Sequence, residues 1–316
     1  MSVLSMTEAK ELSDMTKLYL IIGFLGAGKT TFLHKFVRLF PNQKIALIIN
    51  EFGKNGVDGA LLQDLEIALT EIDNGSIFCA CKLEQFEDAL QSILEQRPDL
   101  IFVEASGLSD PTAVKSILGR EVYKELEYAG AICLVDGVRF HKVYQTARVC
   151  RMQLAVSDMV LINKADKATR EQMDEITSIV KAQKPNRPVH ETEFGHFQRE
   201  WLDELERPVL SADHEIHTKD ITLQKLTLKL SGFDEKQLVS FLKMFAEDTY
   251  RIKGFVSLDG TIYLVSCVGP IVELKQFQGS VPELNKLAVL YGNGLPARKS
   301  IKEAVGWFPD CIVEFE

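Results

Sequence analysis

A glycine-rich segment that ends in lysine and threonine carries the most specific chemistry in the chain. Residues 23–30 read GFLGAGKT, follow an apolar run and open an amphipathic stretch, so the G-x-x-x-x-G-K-[ST] pattern occurs in its usual context. Glycines allow successive backbone N–H groups to point at phosphate oxygens, and the following helix adds the positive end of its dipole. We expect Lys29 to reach the β- and γ-phosphates of a nucleotide and the Thr30 hydroxyl to bind Mg²⁺.

A second motif predicts which base the nucleotide carries. Residues 163–166 read NKAD and follow the apolar run at 159–162. The Asp166 carboxylate only accepts hydrogen bonds, so it suits the two adjacent donors on the pairing edge of guanine, whereas adenine lacks the 2-amino group. We expect Asn163 to reach N7 and the Lys164 stem to cover the ring face. The alternative is that Asn163 or Asp166 only caps a helix at a surface turn.

An acidic residue at the end of another apolar run lies between these two motifs. Glu104 follows residues 100–103, LIFV, and precedes Ser106 and Gly107. We expect its carboxylate to bind Mg²⁺ directly or through water. Gly107 can offer its N–H to a γ-phosphate and move once that phosphate leaves. The alternative role for Glu104 is to cap the next helix.

Cys79 and Cys81 are the most closely spaced cysteines in the chain. If the backbone is extended there, both thiolates lie on the same side and can share Zn²⁺, Co²⁺ or Cu⁺, with Glu51 or a partner side chain completing the shell. The neighbouring Lys82 would lower the thiol pKa values and would also repel a bound cation. A redox-sensitive dithiol and a packed loop without metal are the alternatives.

Two other segments contain weaker metal candidates. Glu51 and Asp58 belong to the glycine-rich residues 50–59, where either carboxylate can contact Mg²⁺ or a second metal. The equally weighted alternative is that both are solvated acids in a loop without a metal. His214 and His217 can share an ion if their segment turns helically. A solvated linker with incidental histidines is the favoured interpretation of that pair.

The elements that must position these residues follow from hydrophobic periodicity. In the first two-thirds of the chain, short apolar runs alternate with amphipathic stretches. The runs lie at 18–22, 45–49, 100–103, 131–135 and 159–162, and the amphipathic stretches at 29–40, 83–96 and 169–182. This alternation predicts βαβ units that build a mostly parallel sheet with flanking helices, an α/β fold.

The composition of the sequence changes around residues 206–220, which are polar and lack hydrophobic periodicity. We predict a loosely ordered N-terminus at 1–15, a P-loop domain at 16–206, a linker at 207–220 and a smaller α+β domain at 221–316. In the last of these, alternation predicts strands at 221–230, 250–258, 261–267 and 311–315 and helices at 234–247 and 297–305.

Composition excludes several classes of protein. Among 316 residues, 46% are hydrophobic and 26% charged, and the formal net charge is −9, which fits a soluble globular protein and argues against broad nucleic-acid binding. The longest apolar stretch, residues 18–25, is too short to span a bilayer, and the N-terminus lacks a leader pattern. We therefore expect a cytoplasmic protein without membrane contact, with Cys133 and Cys267 as buried, inert thiols.

Several segments together resemble the CobW-type P-loop GTPases, relatives of the urease and hydrogenase maturation GTPases. They are GFLGAGKTT, INEFGKNGVDGALL, EASGLSDP, LVDG with Phe140 after it, NKAD, and KGF at 253–255. The resemblance implies GTP or GDP with Mg²⁺, and delivery of a metal such as Zn²⁺ or Co²⁺, or of a metallocofactor, to a client protein. It places Glu104, Ser106 and Gly107 at the γ-phosphate. The residues implied for nucleotide binding are Gly23, Gly26, Ala27, Gly28, Lys29, Thr30, Thr31, Asn163, Lys164 and Asp166.

The sequence departs from that family where cargo metal should bind. The family pattern is Cys-x-Cys-Cys after Asn-Gly, whereas residues 74–82 read NGSIFCACK, so the thiolate set is incomplete. A GTP-dependent binding switch that carries no metal is therefore the alternative function, and a small-molecule kinase is a third and disfavoured one. Because we find no internal arginine finger or water-positioning glutamine, we expect slow hydrolysis that a client, a cargo or a second copy in a homodimer accelerates.

Overall fold

The computed structural model describes residues 15–49, 68–71, 83–108, 111–205, 223–279, 281 and 283–315. The chain divides into two compact units. The first comprises residues 1–141 and 149–220, and the second comprises residues 142–148 and 221–316. Within the described residues, no helix is long and apolar enough to cross a membrane.

The first unit is built on a seven-stranded sheet with the order β3-β2-β4-β1-β5-β6-β7, in which all neighbouring strands are parallel. Its strands are β1 (Thr16–Gly23), β2 (Ile45–Ile49), β3 (Ala68–Glu71), β4 (Leu100–Glu104), β5 (Leu126–Asp136), β6 (Met159–Asn163) and β7 (Val189–Glu191). Strands β2, β4 and β6 are buried at every residue, as expected when helices cover both faces of a parallel sheet.

Helices connect these strands. They are α1 (Lys29–Phe36), α2 (Leu83–Glu95), α3 (Thr112–Leu118), α4 (Phe140–Thr146), α5 (Arg148–Val156) and α6 (Arg170–Gln183). The first of them buries Phe32, Leu33 and Phe36, a stripe at helical spacing. The sixth begins with a capping box, in which the Thr169 hydroxyl accepts from the Gln172 N–H and the Gln172 side chain accepts from the Thr169 N–H.

Aromatic packing fixes α1 on the sheet. The ring of Phe36 lies 5.7 Å from that of Tyr19 on β1 and 5.3 Å from that of Phe102 on β4, centroid to centroid, and both pairs meet edge to face. Such contacts contribute about 0.5–1.5 kcal/mol per pair beyond burial. They pack the last residue of α1 against the middle of β1 and β4.

The second unit contains a six-stranded antiparallel sheet with the order β11-β10-β9-β12-β8-β13. Its elements are β8 (Leu223–Ser231), α7 (Glu235–Lys243), β9 (Arg251–Leu258), β10 (Thr261–Val268), β11 (Ile271–Gln276), β12 (Lys286–Gly292), α8 (Ala297–Val305) and β13 (Ile312–Phe315). Alternate residues of β8, Leu226, Leu228 and Leu230, enter a core that also contains Leu238 and Phe241 of α7. This sheet therefore buries one face by period-two alternation.

The predicted α/β fold with a smaller α+β part is confirmed. The five apolar runs of the first unit all form strands, and the pattern at 29–40 forms an α-helix only to Phe36, followed by a 3-10 turn at Val37–Leu39. Strands β11 and β12 of the second unit were not predicted from the sequence, nor were the short strands β3 and β7 of the first unit. The described part of β11 alternates exposed and half-buried residues at the edge of its sheet, so it lacks a strong apolar signal.

Burial also explains the chemistry expected of the cysteines outside residues 79–81. Burial raises the pKa of the Cys133 and Cys267 thiols to about 12, and it raises the pKa of Cys150 still further. The expectation that Cys133 and Cys267 are buried is confirmed, because both are at most 2% exposed.

We predict that these three thiols resist alkylation in the native protein. Thiols with pKa values raised this far are overwhelmingly protonated at pH 8, and burial also blocks the reagent. Mass spectrometry after iodoacetamide treatment should find Cys133, Cys150 and Cys267 unmodified in buffer and modified in denaturant. Modification of any of them in buffer at the rate of a free thiol would contradict this assignment.

Candidate functional site

Four neighbouring strands end at one edge of the first sheet, and three of them end in a polar residue. Strand β1 ends at Gly23, β4 at Glu104, β5 at Asp136 and β6 at Asn163. The register places Asp136 opposite Asn163 and Glu104 opposite Ile21, just before the glycine-rich turn. Glu104, Asp136 and Asn163 are between 2% and 8% exposed. Because buried polar groups need partners, this edge is where the sequence must satisfy them with other residues or with a ligand.

The glycine-rich turn between β1 and α1 depends on two glycines with left-handed backbone angles. Gly26 has a φ of 75°, and Gly28, which directly precedes α1, has a φ of 98°. A Cβ on Gly28 would lie 2.4 Å from Nδ2 of Asn163. Gly28 is therefore required both by its own backbone and by the close approach of the NKAD segment.

Lys29 folds back over this turn. Its side chain is buried, and Nζ donates to the carbonyl of Gly23 at 3.0 Å and to that of Phe24 at 3.4 Å. The cation is thus held above the loop by weak neutral acceptors, which a phosphate oxygen can replace with a stronger charge-assisted bond. Thr31, the next residue but one, is exposed on α1.

Thr30 and Glu104 converge from different elements. The Thr30 hydroxyl donates to Oε1 of Glu104 at 3.3 Å, although the two residues are 74 positions apart in the chain. A hydroxyl and a carboxylate are hard oxygen donors, the set that Mg²⁺ prefers, so these two residues fit the cation that the sequence predicts here.

Gly107 lies directly against the glycine-rich turn at residues 23–30, which we call the phosphate loop. A Cβ at this position would come within 2.6 Å of the backbone nitrogen of Leu25 and 2.9 Å of its Cα. The nearby Ser106 is buried, and its hydroxyl accepts from the N–H of Leu108 at 3.4 Å. Gly107 therefore has to be glycine because of backbone packing, and its contact with a γ-phosphate stays a prediction.

Asn163 joins three segments. Its Nδ2 donates to the carbonyl of Ala27 at 2.8 Å, and its Oδ1 accepts from the N–H of Gly195 at 3.0 Å. The sequence predicts that this side chain reaches N7 of guanine, and in the structure its amide connects the phosphate loop to the loop after β7. The role of Asn163 as a bridge was not predicted, and its contact with the base stays a prediction.

The other two polar residues of NKAD differ in their surroundings. Nζ of Lys164 lies 2.6 Å from Oδ2 of Asp136, and Lys164 has a φ of 64°. Oδ1 of Asp136 accepts from the N–H groups of Val138 and Arg139. The Asp166 carboxylate is exposed and accepts no hydrogen bond from the residues that the structure describes.

Two residues of this site, Asp136 and Gly195, were not predicted from the sequence. Asp136 was noted only within LVDG, yet an acid that directly ends an apolar run is the same signal that singled out Glu104. Gly195 has a φ of 65°, and a Cβ there would lie 2.7 Å from Cα of Phe32 on α1. No local pattern marks Gly195, because its constraint comes from a helix far away in the chain.

The predicted cargo-metal ligands lie outside the described residues. They are Glu51, Asp58, Cys79, Cys81, His214 and His217, together with the neighbouring Lys82. Within the described ranges, no group of three or more His, Cys, Asp or Glu side chains is placed to hold a metal ion. Cargo binding at these positions therefore stays a prediction.

Comparisons with known proteins match both units. Residues 17–191 match the family described as CobW/HypB/UreG, nucleotide-binding domain, and residues 227–304 match the Cobalamin synthesis protein cobW C-terminal domain. Two zinc chaperones of Escherichia coli (strain K12) are similar to the chain: YeiR, 37% identical over 161 residues, and YjiA, 32% identical over 157 residues. These alignments cover 50% and 47% of the chain, which spans about half the length of each relative.

A longer alignment and a solved structure complete the comparison. The zinc chaperone CobW of Pseudomonas aeruginosa is 27% identical over 296 residues, which cover 76% of both chains. The crystal structure of the Zn(II)-bound YjiA GTPase from E. coli is 19% identical, with a TM-score of 0.47, and covers 92% of this chain and 98% of that one.

We predict that Asn163→Ala destabilises the nucleotide-free protein. Both partners of the amide are buried backbone groups, and each would lose its hydrogen bond at a cost of about 1–3 kcal/mol. Urea denaturation without nucleotide should therefore show a large fall in the free energy of unfolding. The matched control is Asp166→Ala, which changes an exposed side chain of the same motif and should stay within about 0.5 kcal/mol of the wild type. Equal stability of the two variants would refute the bridging role.

Proposed function

The chain belongs to the CobW/HypB/UreG family, and from this membership and the site geometry we propose that it binds GTP with Mg²⁺ and hydrolyses the γ-phosphate bond. The observation that carries the proposal is the Asn163 amide, which bonds the phosphate loop at Ala27 from within the predicted base-reading motif. The two halves of a nucleotide site are thereby held at a fixed separation, as binding a base and its phosphates at once requires.

The phosphate end of the site suits phosphoryl transfer to water. Water attacks the γ-phosphorus, the bond to the β–γ bridging oxygen breaks, and GDP and inorganic phosphate leave. The loop N–H groups and Lys29 stabilise the negative charge that shifts toward the bridging oxygen. Thr30 and Glu104 would hold Mg²⁺, which when bound neutralises charge on the β- and γ-phosphates. Gly107 offers its N–H at the γ-phosphate.

The base end of the site suits guanine. Asp166 presents a carboxylate without protein donors among the described residues, so both of its oxygens are available to the N1–H and 2-amino donors. Lys164 is held by the Asp136 carboxylate, which itself is fixed by two backbone N–H groups. The lysine stem is thereby positioned to cover one face of the ring.

We further propose that nucleotide state controls delivery of a metal, with Zn²⁺ or Co²⁺ as the candidates, or of a metallocofactor, to a client protein in the cytoplasm. The relatives YeiR, YjiA and CobW bear the name zinc chaperone. Of the six cysteines, the four described ones, Cys133, Cys150, Cys267 and Cys311, are buried and have raised pKa values, which disfavours the thiolate that a metal needs. Cys79 and Cys81 are therefore the thiolates we assign to the cargo.

Base recognition is tested by Asp166→Asn. An asparagine replaces one acceptor with a donor, so it suits the 2-carbonyl of xanthine instead of the 2-amino group of guanine. We expect GTP affinity to fall at least a hundredfold and XTP affinity to rise above that for GTP, measured by isothermal titration calorimetry with Mg²⁺. Lys29→Ala, which leaves the base end intact, should weaken GTP and XTP alike. Unchanged GTP binding by Asp166→Asn would overturn the base assignment.

Cargo binding is tested by titrating Zn²⁺ and Co²⁺ into the full chain loaded with GDP or with a non-hydrolysable GTP analogue. We expect metal affinity to differ between the two forms, because coupling between two ligands is reciprocal. The double variant Cys79→Ser/Cys81→Ser should lose the nucleotide-dependent component and keep GDP affinity. Identical metal binding by the variant and the wild type would favour the metal-free switch.

A further inference from the structure

A buried glutamine contacts the loop that follows Glu104. Gln153 lies on α5, is 1% exposed, and donates from Nε2 to the carbonyl oxygen of Gly107 at 3.3 Å. It belongs to the buried stripe of this helix, whose other members are Val149, Cys150 and Leu154. An amide in an apolar stripe costs free energy unless it forms a hydrogen bond, so its bond to Gly107 accounts for a polar residue at this position.

The acceptor is the carbonyl oxygen of Gly107, the residue whose contacts would differ between bound GTP and bound GDP. Gly107 packs on the backbone of Leu25 in the phosphate loop, with no room for a Cβ. A glycine has more backbone freedom than any other residue, so its carbonyl can rotate unless a bond restrains it. The bond from Gln153 restrains that rotation and holds Gly107 against the phosphate loop.

The donor is on a fixed element. Another element anchors the end of α5: Arg187, 2% exposed, donates from Nη2 to the carbonyl oxygen of Ala155 at 3.3 Å. The Ser157 hydroxyl donates to the carbonyl oxygen of Leu154 at 2.7 Å, which is a bond local to that turn. The contact from Arg187 keeps the helix end in place. Of the two groups joined by the bond, Gln153 therefore lies on the anchored element, and the backbone of Gly107 is what the bond restrains.

We propose that Gln153 is a positioning residue that sets the preference of the site for GTP over GDP, by holding Gly107 where its N–H can meet the γ-phosphate. The inference rests on the proposed function, since it requires a nucleotide in the site. GDP has no γ-phosphate and gains nothing from a prepositioned Gly107. GTP loses affinity when the glycine must first be ordered by the ligand.

The test compares Kd values for GDP and for a non-hydrolysable GTP analogue, with Mg²⁺, in the full chain. Gln153→Met keeps the length of the side chain and removes the donor. We expect GDP affinity within twofold of the wild type and affinity for the GTP analogue reduced roughly five- to tenfold, the equivalent of one net hydrogen bond. Ser157→Ala is the matched control, because it removes a buried hydrogen bond at the end of the same helix without touching Gly107, and its ratio of affinities should equal that of the wild type.

A second variant separates positioning from packing and serves if Gln153→Met does not fold. In Gln153→Glu an ionised carboxylate cannot donate to the Gly107 carbonyl, whereas a protonated one can. The ratio of GTP-analogue to GDP affinity, normalised to the wild type at each pH, should be low at high pH and recover as the pH falls. A ratio that matches the wild type in both variants while GDP still binds, or the same change of ratio in Ser157→Ala, would overturn the inference. Failure of the wild type to bind GDP would instead refute the proposed function.

Discussion

The site depends on the pair of hydrogen bonds made by one asparagine amide. Asn163 lies at the end of β6 and reaches the carbonyl of Ala27 and the N–H of Gly195, both of them buried backbone groups. Its approach is so close that only a glycine fits at position 28. The phosphate loop, the NKAD turn and the loop after β7 therefore cannot shift independently. A nucleotide that contacts the phosphate loop at one end and the NKAD segment at the other needs that rigidity. If one of these segments were misplaced, the contacts at the other end would be lost.

The parallel sheet supplies the second constraint. Because parallel strands end at the same edge, each strand end can contribute one polar side chain to a common region, and here the ends of β4, β5 and β6 contribute Glu104, Asp136 and Asn163. Each side chain has a partner from a different element: Thr30, Lys164 and Ala27. Buried charges are tolerated in such places because they are paired, and a pair such as Thr30 with Glu104 can exchange its mutual bond for bonds to a cation.

Local patterns were enough to predict five of the seven strands of the first sheet and the glycine-rich turn, whereas the short strands β3 and β7 were missed. A buried parallel strand is an uninterrupted apolar run, and the turn needs glycine at fixed spacing, so both signals lie within about ten neighbouring residues. The bridge made by Asn163 could not be predicted in this way, since it joins residues 136 positions apart. Gln153 was missed for a related reason: in the sequence it is one polar residue in an amphipathic helix, and only the fold shows that it faces the core. In the second unit the edge strand β11 was not predicted, because its residues are half-buried or exposed and give no strong apolar pattern.

The buried polar residues around the phosphate loop distinguish this site from a glycine-rich surface turn that contains a lysine. Lys29, Glu104, Asp136, Gln153 and Asn163 are each less than a tenth exposed, in a unit whose remaining interior is overwhelmingly apolar. Apolar packing alone would not select these side chains, because an apolar residue of similar volume avoids the cost of desolvating a polar group. Their bonds run to backbone carbonyls of the phosphate loop, to Gly107, and to one another. Burying these polar groups costs stability, but their hydrogen bonds fix the positions of the phosphate loop, Gly107 and the Lys164 side chain. Those three parts have to be ordered before a small anionic ligand can be bound without a large entropic cost.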